Sequence, residues 1–139
     1  MNGTLSFEIH NDLLEIDRAH DLLDEFSTAH QLSDGMNLKI KLSVEELLNN
    51  VISYGYTDED THIIFVNITL QDSVVSIRIT HDGDPFNPHD APQPQLMNGD
   101  LQDLQIGGLG VFLVKEMMDS LDYRRDGRQN IIEIKKRLI

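Results

Sequence analysis

Residues 43–50 read Ser-Val-Glu-Glu-Leu-Leu-Asn-Asn, and the fold and function of the chain are best interpreted outward from this stretch. Glu46 and Asn50 are four residues apart, so on a helix both side chains point the same way, one turn from each other. Asn has a poor helix propensity, yet two stand together here beside leucines. An Asn carbonyl suits Mg²⁺, and a carboxylate one turn earlier suits orienting a hydroxyl. The alternative interpretation is a solvated polar face.

Two glycine-containing segments follow downstream. Residues 82–88 read Asp-Gly-Asp-Pro-Phe-Asn-Pro and follow the end of a predicted strand. Residues 107–110, Gly-Gly-Leu-Gly, form a predicted turn that leads into a helix. Such a turn presents backbone N–H groups and a positive helix end to a phosphate. No Lys-Ser or Lys-Thr follows, so this is not a P-loop. Together with 43–50 these segments predict a pocket for a nucleotide and a divalent metal; the alternatives are a plain turn and a helix cap without a ligand.

The length, composition and net charge of the chain narrow the classes of protein to which it could belong. The 139 residues, 40% of them hydrophobic, predict one globular domain over 1–139. The chain has no cysteine and no long apolar run, and its first residues do not resemble a secretion signal, so we expect a cytoplasmic protein without a membrane segment. The net charge of −13 disfavours nucleic acid and means that a bound nucleotide would need a cation, most simply Mg²⁺.

Apolar periodicity predicts an α+β fold, a two-layer sandwich with about three helices on one face of a mostly antiparallel sheet. The expected elements are a strand over 5–9, a helix from Asn11 or Asp12 to about Ala29, a helix from about Met36 to Tyr54, a hairpin of 63–70 and 74–80, a helix from after Gly110 to about Ser120, and a last hairpin around Asp126-Gly127. Leu13, Leu38 and Leu42 are among the predicted core residues. The segment 82–106 has four prolines and few large apolar residues, which is typical of a functional loop or lid.

These motifs, in this order, resemble those of the Bergerat-fold ATPases, which include gyrase and the histidine kinases. The resemblance is strongest to the single-domain serine kinases that act as bacterial anti-sigma factors, and it covers nearly the whole chain. The segments that carry it are 46–50, 54–56, 83–88 and 107–115, together with Tyr123, Arg124 and Asn130.

The resemblance implies a role for each matching position. Glu46 resembles the catalytic base and Asn50 the Mg²⁺ ligand. Gly83 resembles the glycine that lets the adenine ring approach, and Thr80 and the strand end would line the base pocket. The remaining nucleotide-binding positions are Pro85 and Phe86 after that glycine, and Gly107, Gly108, Leu109 and Gly110 at the phosphate-facing hinge of a lid over about 87–107.

Two departures from the family pattern concern the base and the phosphates. His81 stands where the family usually has the Asp that accepts a hydrogen bond from the adenine amino group. A neutral His can accept through one ring nitrogen, whereas Asp82 should point the other way if the strand continues. No Lys or Arg lies between Arg78 and Lys115, so the lid offers no cation to a phosphate.

The resemblance implies an Mg-ATP-binding regulator that holds a sigma factor, phosphorylates a Ser of an anti-anti-sigma protein, and forms a homodimer. One alternative is a partner-binding module that retains the fold without catalysis, which His81 and the acidic lid favour. A third hypothesis is a metal site built from loop residues; it would use His81, Asp82, Asp84, His89 and Asp90. The other histidines are expected to be surface residues or to have satisfied partners.

Overall fold

A computed structural model describes residues 2–90 and 106–138 of the chain. It contains five strands, β1 Gly3–His10, β2 Ile63–Gln71, β3 Val74–His81, β4 Ser120–Asp126 and β5 Gln129–Arg137, and three helices, α1 Ile16–Ala29, α2 Asp34–Tyr54 and α3 Ile106–Met117. The predicted order of elements and the α+β class are confirmed. Most of the predicted lid over 87–107 lies outside the described residues.

All five strands form one sheet in the order β1-β2-β3-β5-β4, and every neighbouring pair is antiparallel. Side chains alternate between its faces, as the period of two requires. On β2, for example, Ile64 and Val66 are fully buried whereas Phe65 is 41% exposed. The buried face packs under the helices in a single core, which gives the predicted two-layer arrangement.

Three leucines that were predicted to lie in the core are exposed, two of them on α2 and one just before α1. Leu38 and Leu42 are 56% and 38% exposed, because α2 buries Ile40 and Val44 in their place. Leu13 is 52% exposed, since Asp12 caps a short 3-10 turn at Leu13–Glu15 by accepting from the Leu14 N–H at 3.0 Å. These three core predictions were wrong.

Helix α3 starts earlier than predicted. It begins at Ile106, so residues 107–110 lie within its first turns rather than in a turn that precedes it. Glycine signals a turn when only local propensity is considered, but packing overrides propensity where two backbones must approach closely. Helix α2 also begins two residues earlier than predicted, at Asp34, because Ser33 caps it by accepting from the Met36 N–H at 3.1 Å.

Within the described ranges, every helix is too short or too polar to cross a lipid bilayer.

Candidate functional site

Helix α2 places Glu46 and Asn50 on the same side, one turn apart, as predicted. Asn50 is 7% exposed, and the Glu46 side chain is half-buried. Burial raises the pKa of Glu46 above its ordinary value, and the neighbouring negative charge of Glu45 acts in the same direction. The pair is therefore not part of a fully solvated polar face.

Glu46 lies directly against Gly110 of α3. A β-carbon on Gly110 would overlap Glu46 Oε2, so any larger residue at position 110 would displace this carboxylate. Gly107, Gly108 and Leu109 precede Gly110 in the same helix. The structure thus brings the carboxylate of the first motif to the glycine-rich start of α3.

A second close approach joins the end of α2 to the loop after β3. Gly55 follows the last residue of α2, and its carbonyl accepts a hydrogen bond from the Asp84 N–H at 2.6 Å. A β-carbon on Gly83 would overlap the same carbonyl. Pro85 and Phe86 continue this loop, Pro85 exposed and Phe86 half-buried. The glycine at position 83 is therefore explained by a backbone contact within the chain.

His81 ends β3 and is buried, with 2% exposed. Its Nδ1 accepts a hydrogen bond from the Gly83 N–H at 3.2 Å. Burial lowers the pKa of His81 to about 4, so the ring is neutral at physiological pH. The strand ends at His81, and the Asp82 side chain is 51% exposed with Oδ1 3.2 Å from His62 Nδ1. One ring nitrogen of His81 does act as an acceptor, but its donor belongs to the protein rather than to a base.

Asn130 on β5 is the centre of a hydrogen-bond network to which the sequence assigned no role. Its side chain is fully buried, and Nδ2 donates to the Gly83 carbonyl at 2.9 Å. Oδ1 accepts from the Tyr123 hydroxyl at 2.6 Å and from Arg125 Nη1 at 3.1 Å. Arg125 Nη1 also lies 3.2 Å from the Gly83 carbonyl. The sequence pointed to Asn130 and Tyr123 only as positions that match the family pattern, without a role for either.

An aromatic cluster covers the other side of His81, and sequence reasoning missed it. The Tyr56 ring stacks on His62 at 4.2 Å between centroids and meets His81 edge-on at 6.0 Å. His62 bridges two carboxylates, with Nε2 2.7 Å from Asp58 and Nδ1 3.2 Å from Asp82. These partners, Asp58 foremost, raise the pKa of His62. His62 is thus a histidine with satisfied partners, one of the two expectations stated for it.

The proposed metal site in the loop is not formed. His81 is buried with its Nδ1 bonded to the Gly83 N–H, Asp82 contacts His62, and His89 contacts the Leu121 carbonyl through Nε2. Among the residues the structure describes, no three His, Asp or Glu side chains are grouped so that they could hold a metal ion. The five candidate residues therefore have separate partners or surroundings, although they are close in sequence.

Residues 9–136 match the family model of the histidine kinase-like ATPase domain. The chain is 30% identical over 106 residues to the serine/threonine-protein kinase BtrW of Bordetella bronchiseptica, covering 76% of this chain and 74% of that one. It is 29% identical over 84 residues to the anti-sigma F factor of Oceanobacillus iheyensis, covering 60% of this chain and 57% of that one.

A solved structure with the same architecture contains the RsbU and RsbW domains of Rv1364c from Mycobacterium tuberculosis. The TM-score is 0.65 over 97% of this chain and 32% of that chain. The sequence identity is 9%, so this likeness shows the fold alone.

Proposed function

Since the chain belongs to the histidine kinase-like ATPase family, we propose that it binds Mg-ATP and acts as an anti-sigma factor and serine protein kinase toward an antagonist protein. In this proposal residues 1–139 form one domain, with a nucleotide lid over about 87–107. The observation that carries the proposal is the contact of the half-buried Glu46 carboxylate with Gly110 at the start of α3. That contact joins a candidate base to a candidate phosphate-binding segment.

Glu46 is suited to orient and deprotonate the attacking serine hydroxyl. Phosphoryl transfer depends chiefly on positioning and on stabilising negative charge, so a carboxylate held by packing is more useful than a mobile one. The raised pKa of Glu46 makes the carboxylate a better proton acceptor than an exposed one. Gly110 leaves room for it, and the preceding backbone of α3 would face the phosphates.

Asn50 is suited to hold Mg²⁺. Its carboxamide oxygen is a hard ligand in a mostly buried position, one helical turn from Glu46. Protein Mg²⁺ sites take few side-chain ligands and complete the shell with waters and phosphate oxygens, which fits one Asn in this place. When bound, the ion offsets the charge of the triphosphate, which a chain of net charge −13 otherwise repels.

The partners are proposed from similarity. One relative is named an anti-sigma factor and another a serine/threonine-protein kinase. By the same similarity this chain would hold a sigma factor and phosphorylate an anti-anti-sigma protein. It would thereby regulate transcription in the cytoplasm, as a homodimer.

A non-catalytic module is the second candidate. His81, which stands at the position expected to contact adenine, is buried and hydrogen-bonded within the chain. Glu46→Ala separates the two. If the chain is a kinase, the variant no longer phosphorylates the antagonist. If it is a binding module, the variant and the unaltered protein have the same effect on the partner.

Calorimetric titration with Mg²⁺ and a non-hydrolysable ATP analogue tests the proposal. We expect saturable binding that weakens in Asn50→Ala, because the metal loses its protein ligand. Asn49→Ala is the matched control, since it removes the same side chain from the adjacent position on α2, about 100° around the helix. An absence of binding by the unaltered protein, or an equal effect of both substitutions, contradicts the assignment.

A further inference from the structure

We propose that a basic cleft of about 560 Å³ is a docking site for an extended acidic segment of a partner protein. The cleft lies where β3 and β4 begin and β5 ends, and it is lined by Val74, Asp119, Ser120, Lys135, Lys136 and Arg137. The inference goes beyond the proposed nucleotide binding and does not depend on it. Arg137 and Asn130 lie near opposite ends of β5, roughly 24 Å apart at the rise of an extended strand.

The cleft is positively charged on a chain that is strongly acidic. The net charge is −13, yet residues 135–137, Lys-Lys-Arg, form the longest run of basic residues in the sequence. Three of the six lining side chains are cations and one is a carboxylate. An anionic group is therefore attracted to this place, whereas the charge of the chain as a whole repels it.

The ion pair of Lys135 leaves most of its charge available. Glu133 Oε1 lies 3.5 Å from Lys135 Nζ, and Oε2 of the same carboxylate lies 3.2 Å from Arg78 Nη2. One carboxylate thus faces two cations. The Lys135 side chain is 48% exposed, so it can contact a ligand from solvent.

Asp119 fixes the shape of the cleft. Its Oδ2 accepts from the Arg137 N–H at 2.7 Å, its Oδ1 lies 3.2 Å from Lys136 Nζ, and its own N–H donates to the Lys135 carbonyl at 2.9 Å. The end of β5 is thereby held against the α3–β4 connection. Within the described ranges the Arg137 guanidinium itself makes no ion pair, so a positioned main chain carries a cation that is open to a ligand.

The register of the sheet sets the spacing of the cations. Lys135 pairs with Ser76 and Arg137 with Val74, so the two cations lie on the same face of β5, roughly 7 Å apart along the strand. An extended peptide presents the side chains of alternate residues at the same interval. Carboxylates at alternate positions of a partner segment can therefore meet Lys135 and Arg137 together, and Val74 adds an apolar contact.

Other anions fit the cleft less well. A nucleic acid carries phosphates far beyond a cleft of this size, where the net charge of the chain repels them. An inorganic phosphate occupies only a small part of the volume. The spacing of the cations and the size of the cleft thus favour a peptide.

NMR titration of the ¹⁵N-labelled protein with two end-blocked hexapeptides tests the proposal. One peptide alternates Glu and Ser, and the other alternates Gln and Ser, so it has the same length without charge. We expect the Glu peptide to shift the amide signals of Ser120 and residues 135–137 saturably, and the Gln peptide to leave them unchanged. Raising the salt from about 0.05 M to about 0.3 M should weaken the binding several-fold, because exposed ion pairs are screened.

A charge-matched pair of variants separates the cleft from the net charge. Lys135→Gln combined with Arg137→Gln should bind the Glu peptide about fivefold or more weakly, because two exposed ion pairs are lost. Lys39→Gln combined with Arg128→Gln removes the same charge from exposed positions on α2 and in the β4–β5 turn. That control should keep its affinity within about twofold, and melting curves check that both variants fold.

The possible outcomes are distinct. Equal weakening in both variants attributes the binding to net charge and overturns the docking site, as does a Glu peptide that causes no saturable shift or shifts only residues elsewhere. Inorganic phosphate that binds as tightly as the Glu peptide shows a small-anion site and also overturns the inference. The mapping on the unaltered protein stands whether or not a variant folds. None of these results bears on the titration with the ATP analogue, so the two proposals fail separately.

Discussion

Glu46 and Gly110 lie on different helices, and the Glu46 Oε2 atom occupies the space that a β-carbon at position 110 would need. The carboxylate therefore occupies space that is open because its neighbour has no side chain. Because α2 carries Glu46 and α3 begins with the glycine-rich segment, this contact brings the two motifs of the candidate site together.

Gly110→Ala should reduce phosphorylation of the antagonist about 10- to 100-fold, because the added methyl group displaces the Glu46 carboxylate. Gly35→Ala is the matched control: Gly35 lies in the first turn of α2, and a β-carbon there meets nothing within 4 Å. We expect that control to keep its activity and to gain up to about 1 kcal/mol of stability. Phosphate transfer rates and thermal melts measure both effects. An active Gly110→Ala protein would argue against the role of the contact.

Glu46→Gln should melt at a higher temperature than the unaltered protein at neutral pH. The folded state raises the pKa of Glu46, so it binds this proton more tightly than the unfolded chain does. The associated stability is present below the ordinary pKa of 4.5 and is lost as the pH rises through the raised value. A neutral Gln avoids that loss, and its advantage should shrink toward pH 4. Glu25→Gln, at an exposed position of α1, should melt like the unaltered protein throughout.

His62 should make stability depend on pH in a separate range. Its hydrogen bond to Asp58 is the main cause of the raised pKa, and Asp82 adds to it. The stabilisation is fully present below the ordinary value of 6.5 and is lost as the pH rises through the raised value. Melting temperatures between pH 6 and 9 should fall for the unaltered protein and change less for His62→Gln. If melting temperature depends on pH in the same way for both proteins, the hydrogen bonds of His62 to Asp58 and Asp82 do not contribute to stability.

Asn130→Ala should destabilise the fold by about 1–3 kcal/mol, because the Gly83 carbonyl loses its Nδ2 donor and keeps only Arg125 Nη1, while the Tyr123 hydroxyl loses its Oδ1 acceptor. Urea denaturation measures this loss. Gln129→Ala, at the exposed neighbouring position of β5, should change stability little. If the loop after β3 contributes to the proposed nucleotide site, the Asn130 variant should also bind the ATP analogue more weakly. Equal stability of the two variants would contradict the role of Asn130.

Elements with strong local signals were predictable. The β2–β3 and β4–β5 hairpins follow from alternating apolar residues around short turns, and Gly127 has the positive φ of 62° that its turn predicts. The same-side placement of Glu46 and Asn50 follows from helical geometry alone. Leu38 and Leu42 were misplaced because periodicity identifies an apolar stripe without showing which part of it meets the sheet.

The parts of the site that sequence could not predict are contacts between distant residues. Nothing near Gly110 indicates that a glutamate from another helix fills its side-chain space, so the glycine was interpreted as a turn. The network of Asn130 joins β5 to the loop after β3, and the stacking of Tyr56 on His62 depends on how the α2–β2 connection folds back. The hydrogen bond from the Gly83 N–H to His81 Nδ1 likewise depends on how the chain turns after β3.

The junction between the Gly55 carbonyl and the Asp84 N–H is made by main-chain atoms on both sides. Neither residue contributes a side chain to this link. The end of α2 and the loop after β3 should therefore stay joined when the exposed Asp84 side chain is exchanged, because the main chain at that position supplies the donor.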